Sequence, residues 1–420
     1  MMAAQRRLWL FGLLLSILLL GLADVQIISP ILPKLAQDFS VSPAMMGTAV
    51  SAYAIAAALW ALVVGPLSDQ IGRLIFLRAA AWVLAGAAGA AYFAGYFEHY
   101  VAARVLAGLA GGTISACVIA QVADAFDYSA RGRAMGWVGA IYFIAAVIAV
   151  PLGAWITAVW SWRILYLLQM ALAFILGLLL QPSLSPAARK KNAHNPSSAR
   201  NVAVVKKVLQ QQLQNYPRYL VQMPTLVGLL LAITVSAAVA GLVTYLGVWL
   251  TTTFGMSIAT IGVVFMITGA ASVIGALGGG WMADQLGKRR MIALSSFLLA
   301  VILLAVNLVQ TRTNVFLFCA AGGLAMALRE GPFQALISEL IPANERGAYI
   351  ALRNAISQLA IAVAVALGGI LFERFGFNAV AYFAAACSLA ASGLVLFMAE
   401  PKSAPSADET MAELPGQETV

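Results

Sequence analysis

The sequence predicts an all-α membrane protein in which twelve transmembrane helices form two pseudo-symmetric six-helix bundles. Three observations carry that expectation. The 420 residues are 62% hydrophobic and only 10% charged, with a mean hydropathy of +0.91. No water-soluble domain buries that much apolar side chain, so lipid has to be the solvent for most of the chain. Twelve apolar runs are each long enough to cross a bilayer, which takes roughly 20 helical residues. One charged signature also occurs twice. Gly65-Pro66-Leu67-Ser68-Asp69-Gln70-Ile71-Gly72-Arg73 returns as Gly280-Trp281-Met282-Ala283-Asp284-Gln285-Leu286-Gly287-Lys288, and at the same spacing of 215 residues Asp124 with Arg131 returns as Glu339 with Arg346. A registered repeat in an apolar chain points to two fused halves, the build of a secondary transporter.

In chain order the runs fall at about 8–31, 44–66, 74–96, 100–123, 134–158 and 162–181, then 224–250, 257–281, 290–310, 314–338, 347–371 and 377–398. Met1–Arg7 is basic, but the run behind it is too long for a signal-peptide core and lacks a small-residue cleavage site, so it is expected to be the first span. Residues 1–181 thus make an N-terminal bundle. Residues 182–222 are polar and basic, rich in Pro, Ser, Asn and Lys, and read as a cytoplasmic linker. Within it Val202–Leu213 has the pattern of a short amphipathic helix on the membrane surface. Residues 223–400 make the C-terminal bundle. Residues 401–420, with Asp408, Glu409, Glu413 and Glu418, read as a disordered acidic tail.

An even number of spans puts both termini on one side, and the charges choose it. Arg6, Arg7, Arg73, Arg78, Arg131, Arg133, the linker cations, Lys288, Arg289, Arg290 and Arg346 all fall in alternate loops, while the opposite loops hold only scattered cations such as Lys34, Arg163, Arg312 and Arg374. The positive-inside rule then places both termini in the cytoplasm. The expected setting is a cytoplasmic (inner) membrane of bacterial type. The formal charge of +9 is accounted for by these loops, so a nucleic-acid partner is not expected.

Several function classes are excluded on motif grounds. No phosphate-binding loop of the form G-x-x-x-x-G-K-[ST] occurs, which removes the usual machinery of ATP-driven transport. No H-E-x-x-H or Cys/His cluster occurs. Cys117, Cys319 and Cys387 sit inside apolar runs and read as small buried hydrophobes. The chain is expected to be no enzyme and to need no cofactor or metal, with a proton gradient as its energy source. Its expected partners are lipid, protons and a small molecule, and one chain suffices.

The repeated loop of Gly65–Arg73 closely resembles the cytoplasmic signature of the major facilitator superfamily, and the second copy lies between spans eight and nine, as in that family. The resemblance covers the whole chain: six plus six spans, a long central loop and both signatures. It implies that Asp69, Arg73, Asp124 and Arg131, with Asp284, Lys288, Glu339 and Arg346 in the second half, form a gating charge cluster that latches the bundles at the membrane face. A role in loop topology alone fits the same charges.

Ionisable groups inside a membrane are costly and need a reason. Asp24 lies late in the first span and Arg104 early in the fourth. These spans run in opposite directions, so the two fall at similar depth in the outer half, and pairing would lower the cost of each. The segment Asp24-Val25-Gln26-Ile27-Ile28-Ser29-Pro30, with Pro33 following, resembles the first-helix motif of the drug:proton antiporter branch. Arg104-Val105-Leu106-Ala107-Gly108 resembles that branch's fourth-helix motif, with Ala107 where a glutamine is usual. The resemblance implies a proton-coupling pair, and a static buried ion pair is the other role that fits. Val150-Pro151-Leu152-Gly153-Ala154-Trp155 retains only the proline and one glycine of the fifth-helix Gly-Pro-x-x-Gly-Gly run. In the tenth span Arg329 and Glu330 are neighbours, so they diverge by about 100° around the helix and at least one is expected to face the pathway. Gln26, Tyr142, Tyr245 and Gln334 are the further pathway candidates.

Three functions fit. The first is proton-coupled export of a small drug-like or amphipathic molecule by alternating access. The second is proton-coupled import of a small metabolite, for which the reduced fifth-span run leaves room. The third is a non-transporting membrane scaffold or assembly factor.

Overall fold

The structure, a computed structural model, describes residues 2–126, 128–181, 216–339 and 346–398. The linker helix expected at 202–213 and the acidic tail lie outside them. The described residues contain helices and no strand. In the first half these are α1 Met2–Gln26, α2 Ile28–Asp38, α3 Pro43–Ile71, α4 Arg73–Tyr92, α5 Phe97–Ala125, α6 Tyr128–Ile144, α7 Val150–Val159 and α8 Trp162–Leu179. In the second half they are α9 Met223–Phe254, α10 Ile258–Leu286, α11 Lys288–Leu304, α12 Arg312–Leu328, α13 Glu330–Glu339, α14 Arg346–Phe375 and α15 Phe377–Leu396. Among the described residues, twelve helical stretches are long and apolar enough to cross a membrane, and their bounds follow the predicted runs closely.

Three spans are not single straight helices, and proline is the cause each time. A proline ring has no N–H and clashes with the carbonyl four residues earlier. Pro30 sits four residues after Gln26, where α1 stops, so the first span is followed by a separate helix to Asp38 in place of one run to 31. Pro332 sits four residues after Leu328, where α12 stops, so the tenth span breaks at Arg329. Pro151 is met by a π-helical turn over Ala145–Ala149, which joins α6 to α7 and widens the helix where the proline withholds its donor.

The repeat seen in the sequence is a repeat in structure. Ser42 caps α3 by accepting a hydrogen bond from the Met45 amide at 3.1 Å, and 215 residues on Ser257 caps α10 through Thr260 at 3.2 Å. Gly72 and Gly287 close those same helices with φ of 124° and 87°, a conformation that glycine adopts without strain. Gly108 and Gly323 lie at the crossings of spans two with four and eight with ten. A Cβ on either would stand 2.3 Å from the Tyr53 carbonyl oxygen or 2.7 Å from that of Thr268. Close backbone approach over small residues is what holds helices together in lipid, where apolar side chains gain little by leaving the solvent.

The described contacts between the halves gather on the face opposite the termini. The Ser29 hydroxyl donates to the Val243 carbonyl. The Ala44 amide donates to Glu373 at 3.3 Å and Ser51 to the Ala362 carbonyl at 2.8 Å. Ile28, Leu32 and Met46 share one apolar cluster with Val248 and Phe372. Gly262 and Gly269 of α10 lie against Pro151 and Ala146. Cys117 and Cys319 are buried as expected, and Cys387 is only half-buried.

Candidate functional site

A buried ion pair lies inside the first half. Asp24, near the end of α1, is 4% exposed and Arg104 of α5 is 1% exposed. The Arg104 Nη1 donates to both Asp24 oxygens, each at 2.8 Å. Gln169 of α8 donates its amide to the same carboxylate at 2.8 Å. The guanidinium stacks over the Tyr53 ring at 4.7 Å, and the Tyr100 and Tyr166 hydroxyls bond to each other at 2.7 Å nearby. The Arg104 Nε has no partner. Two ions taken out of water this way depend chiefly on each other, so removing either strands the other at a cost of about 3–5 kcal/mol. Chemically, the arrangement is a carboxylate whose protonation would release one cation and one amide donor.

A second charged group lies on the terminal face. Arg73 begins α4 and donates to Asp69 at 2.9 Å, to the Ala120 carbonyl at 2.8 Å and to Asp124. It therefore ties the start of α4 to the carbonyl end of α5, where a cation suits the helix dipole. All three of these partners of Arg73 belong to the first half. In the second half Asp284 is exposed and Lys288 half-buried. The side chains of Arg131, Glu339 and Arg346 lie outside the described residues.

In the second half, towards the terminal face, lies a third group. Glu330 is exposed, while its neighbour Arg329 is 1% exposed, the divergence expected of adjacent helical residues. Gln334, one turn on, donates to Glu330 at 3.0 Å and accepts from Arg353 of α14 at 2.8 Å. Arg353 also donates to Asn354 at 2.7 Å. Tyr142, on α6 of the first half, lies within electrostatic range of both Glu330 and Arg353. Arg329 points the other way, into its own bundle. There Nη1 donates to Ser296 at 3.1 Å, and Nε and Nη2 have no partner.

The remaining candidates divide. Gln26 is half-buried beside the break after α1. Tyr245 is 0% exposed in the contact between halves, stacked on Phe372 with centroids 5.6 Å apart. Sequence reasoning missed Gln169, Ser296 and Arg353. Arg353 was the visible one, a cation inside the eleventh apolar run. Outside the spans, Asp38 accepts from the Trp162 indole and pairs with Lys34, both at 2.8 Å. Burial alone would raise its pKa. The bonds from Lys34 and Trp162, with the charges of Lys34 and Arg163, outweigh that and hold it below the ordinary carboxylate value.

Twelve spans in two registered halves, with ionisable groups buried inside and between them, define a multi-pass membrane transporter. The profile of the Major Facilitator Superfamily matches residues 13–318 and 228–415, and the chain belongs to that family. It is similar to the uncharacterized MFS-type transporter YceJ of Bacillus subtilis (strain 168), 25% identical over 377 residues that cover 88% of this chain and 90% of the relative. It is also similar to Multidrug resistance protein 2 of the same organism, 22% identical with 87% and 89% covered. Among solved structures, the fold matches a D-xylose-proton symporter with a TM-score of 0.74 at 17% identity, over 94% of this chain and 98% of that one.

Proposed function

We propose that the protein is a proton-coupled exporter of a small amphipathic organic molecule, working by alternating access in a bacterial-type inner membrane with both termini in the cytoplasm. Asp24 is the group that gains and loses the proton, and Arg104 is the cation that holds it ionised in one state. The observation that carries this reading is the Asp24–Arg104–Gln169 group: a buried carboxylate held by donors that its protonation would release. A buried charge kept at such cost is a functional candidate by default. Export is favoured over import by the first- and fourth-helix resemblance and by the name of the relative Multidrug resistance protein 2. In this account the conformation described is the one with the outer face closed, and rocking of one half against the other exposes Asp24 to the opposite side.

The test is extrusion of dyes and drugs from cells stripped of their main efflux pumps, comparing wild type with Asp24→Asn at matched membrane levels. Extrusion that is present in wild type, collapsed by a protonophore and lost in the variant is expected. Extrusion by the variant at the wild-type rate, with unchanged proton dependence, refutes the assignment.

A second reading, proton-driven uptake, is favoured by the fold likeness to a proton symporter and by the reduced fifth-span run. Accumulation of substrate in right-side-out vesicles, in place of extrusion, selects it.

A further inference from the structure

Arg329 is a buried cation with no anion to match it. It is 1% exposed and lies about 12 Å along the helix from the end of the tenth span at Ile337. None of the ion pairs among the described residues includes it. Glu330 beside it is exposed, turned the other way and bonded by Gln334. The guanidinium has one described hydrogen bond, from Nη1 to the Ser296 hydroxyl of α11 at 3.1 Å. Its Nε and Nη2 are buried without a partner. The other buried arginines are better served: Arg104 has the Asp24 carboxylate, and Arg353 has the oxygens of Gln334 and Asn354.

The packing fixes where these donors meet. Ser295 donates to the Ala325 carbonyl at 2.8 Å, one helical turn before Arg329. That bond ties α11 to the tenth span and carries Ser296 against the guanidinium. On α15, Ser392 donates to the Ala293 carbonyl of α11 at 2.9 Å. These two helices run antiparallel, so Ser388, one turn earlier on α15, stands at the level of Ser296. Ser388 is fully buried, and its hydroxyl has no partner either. Apolar layers lie on both sides. Leu299, Ala325 and Ala385 pack in one cluster, and Ile292, Phe333 and Ala391 pack in another. Between them is a polar layer in surplus of donors. The Ser296 oxygen is spent on Arg329 and its O–H remains to give, as do the Ser388 O–H, Nε and Nη2.

We infer that Arg329 and Ser296, with Ser388 at their level, bind a small monovalent anion of the chloride type inside the second bundle. Water would satisfy the hydrogen bonds but leave the charge, and an uncompensated buried ion is strongly destabilising. An anion answers both needs, and it accepts from every donor that is left over. The apolar packing on either side of the layer excludes an anion that carries an organic tail, so the ligand is a halide and not a transported acid. The bound ion ties the ninth, tenth and twelfth spans of one half together. The site goes beyond the transport reading and does not rest on it, since Asp24 and Arg104 take no part.

The test uses the purified full chain in lipid nanodiscs, dialysed into sodium gluconate and titrated with sodium chloride at constant ionic strength. Two quantities are read: equilibrium binding of radiolabelled chloride and the thermal midpoint. Saturable binding of one chloride per chain is expected, with a midpoint that rises over the same concentration range, as ligand linkage requires. Arg329→Gln is expected to lose both responses. In gluconate its midpoint should equal or exceed that of the wild type, because the uncompensated charge is gone. Ser296→Ala keeps the guanidinium and should weaken chloride binding by at least about threefold, the share of one hydrogen bond. Should Arg329→Gln fail to purify, the wild-type titration and Ser296→Ala decide the matter. A wild-type midpoint and binding signal indifferent to chloride overturn the proposal. So does chloride binding that survives Arg329→Gln undiminished, or that Ser296→Ala leaves at wild-type affinity.

Discussion

Substituting Gly47 by alanine should push the two halves apart on the face opposite the termini. A Cβ at position 47 would stand 2.0 Å from the Tyr245 hydroxyl and 3.0 Å from its ζ carbon, so something has to yield. Tyr245 has little freedom to do so. It is fully buried, its hydroxyl donates to the Val365 carbonyl at 3.0 Å, and its ring stacks on Phe372 with planes 20° apart. Moving the ring gives up a buried hydrogen bond, about 1 kcal/mol, and part of a stacking contact, about 0.5–1.5 kcal/mol. The conformation in which the halves are separated on this face makes neither contact with Gly47 and loses nothing. The equilibrium should therefore shift towards it by about 1.5–2.5 kcal/mol, or roughly 10- to 70-fold. Spin labels at Glu98 and Thr313, both exposed near this face, in a background without the three cysteines, read the separation by pulsed electron resonance. A longer-distance population should grow in Gly47→Ala. Adding Tyr245→Phe removes the hydroxyl that the new methyl would strike and should reverse the shift. An unchanged distance distribution in Gly47→Ala, or no relief from Tyr245→Phe, would refute the claim that this knob and hollow close the face.

Two further predictions concern the charged groups. Arg104→Ala should lower the thermal stability of the purified protein by about 3–5 kcal/mol, because it strands the Asp24 carboxylate in an apolar interior. The double variant Asp24→Asn with Arg104→Gln, which leaves a neutral hydrogen-bonding pair, should recover most of that loss, and equal thermal midpoints for the single and double variants would show that the pair carries no such penalty. Asp38 has a lowered pKa, so the native state binds its proton less readily than the unfolded chain, and the stability it contributes is present above the unfolded value and fades as the pH drops through the folded one. Asp38→Asn should therefore destabilise the protein at pH 7 and flatten the acid limb of the melting curve below about pH 4. An acid limb as steep as that of the wild type would count against it.

Some of the site was legible from depth alone. Asp24 and Arg104 lie in antiparallel spans at matched distances from one membrane face, and the cost of a lone buried ion makes pairing the economical outcome. Arg73 with Asp69 was legible because four residues span one turn at the join of two helices. Gln169 was not, since one amide in an apolar run carries no information about which carboxylate it will meet. The helix breaks were written in Pro30, Pro151 and Pro332, each acting on a carbonyl one turn earlier.

What the sequence determined by itself is everything that depends on distance along the chain: the number of spans, their approximate bounds, the two-fold repeat at 215 residues with its paired glycine turns, and the family. What only the tertiary structure decided is which way each helix is turned. Arg329 faces into its bundle and Glu330 away from it, Tyr245 plugs the closed face, and Arg353 stands behind Gln334. In a soluble helix the apolar stripe announces the buried face. In lipid, both the packed and the exposed faces are apolar, so hydropathy has little periodicity from which to read the rotation. Close approach of glycine to carbonyl, at Gly108 with Tyr53 and Gly279 with Leu328, sets it instead, and that contact exists only once the partner helix is in place.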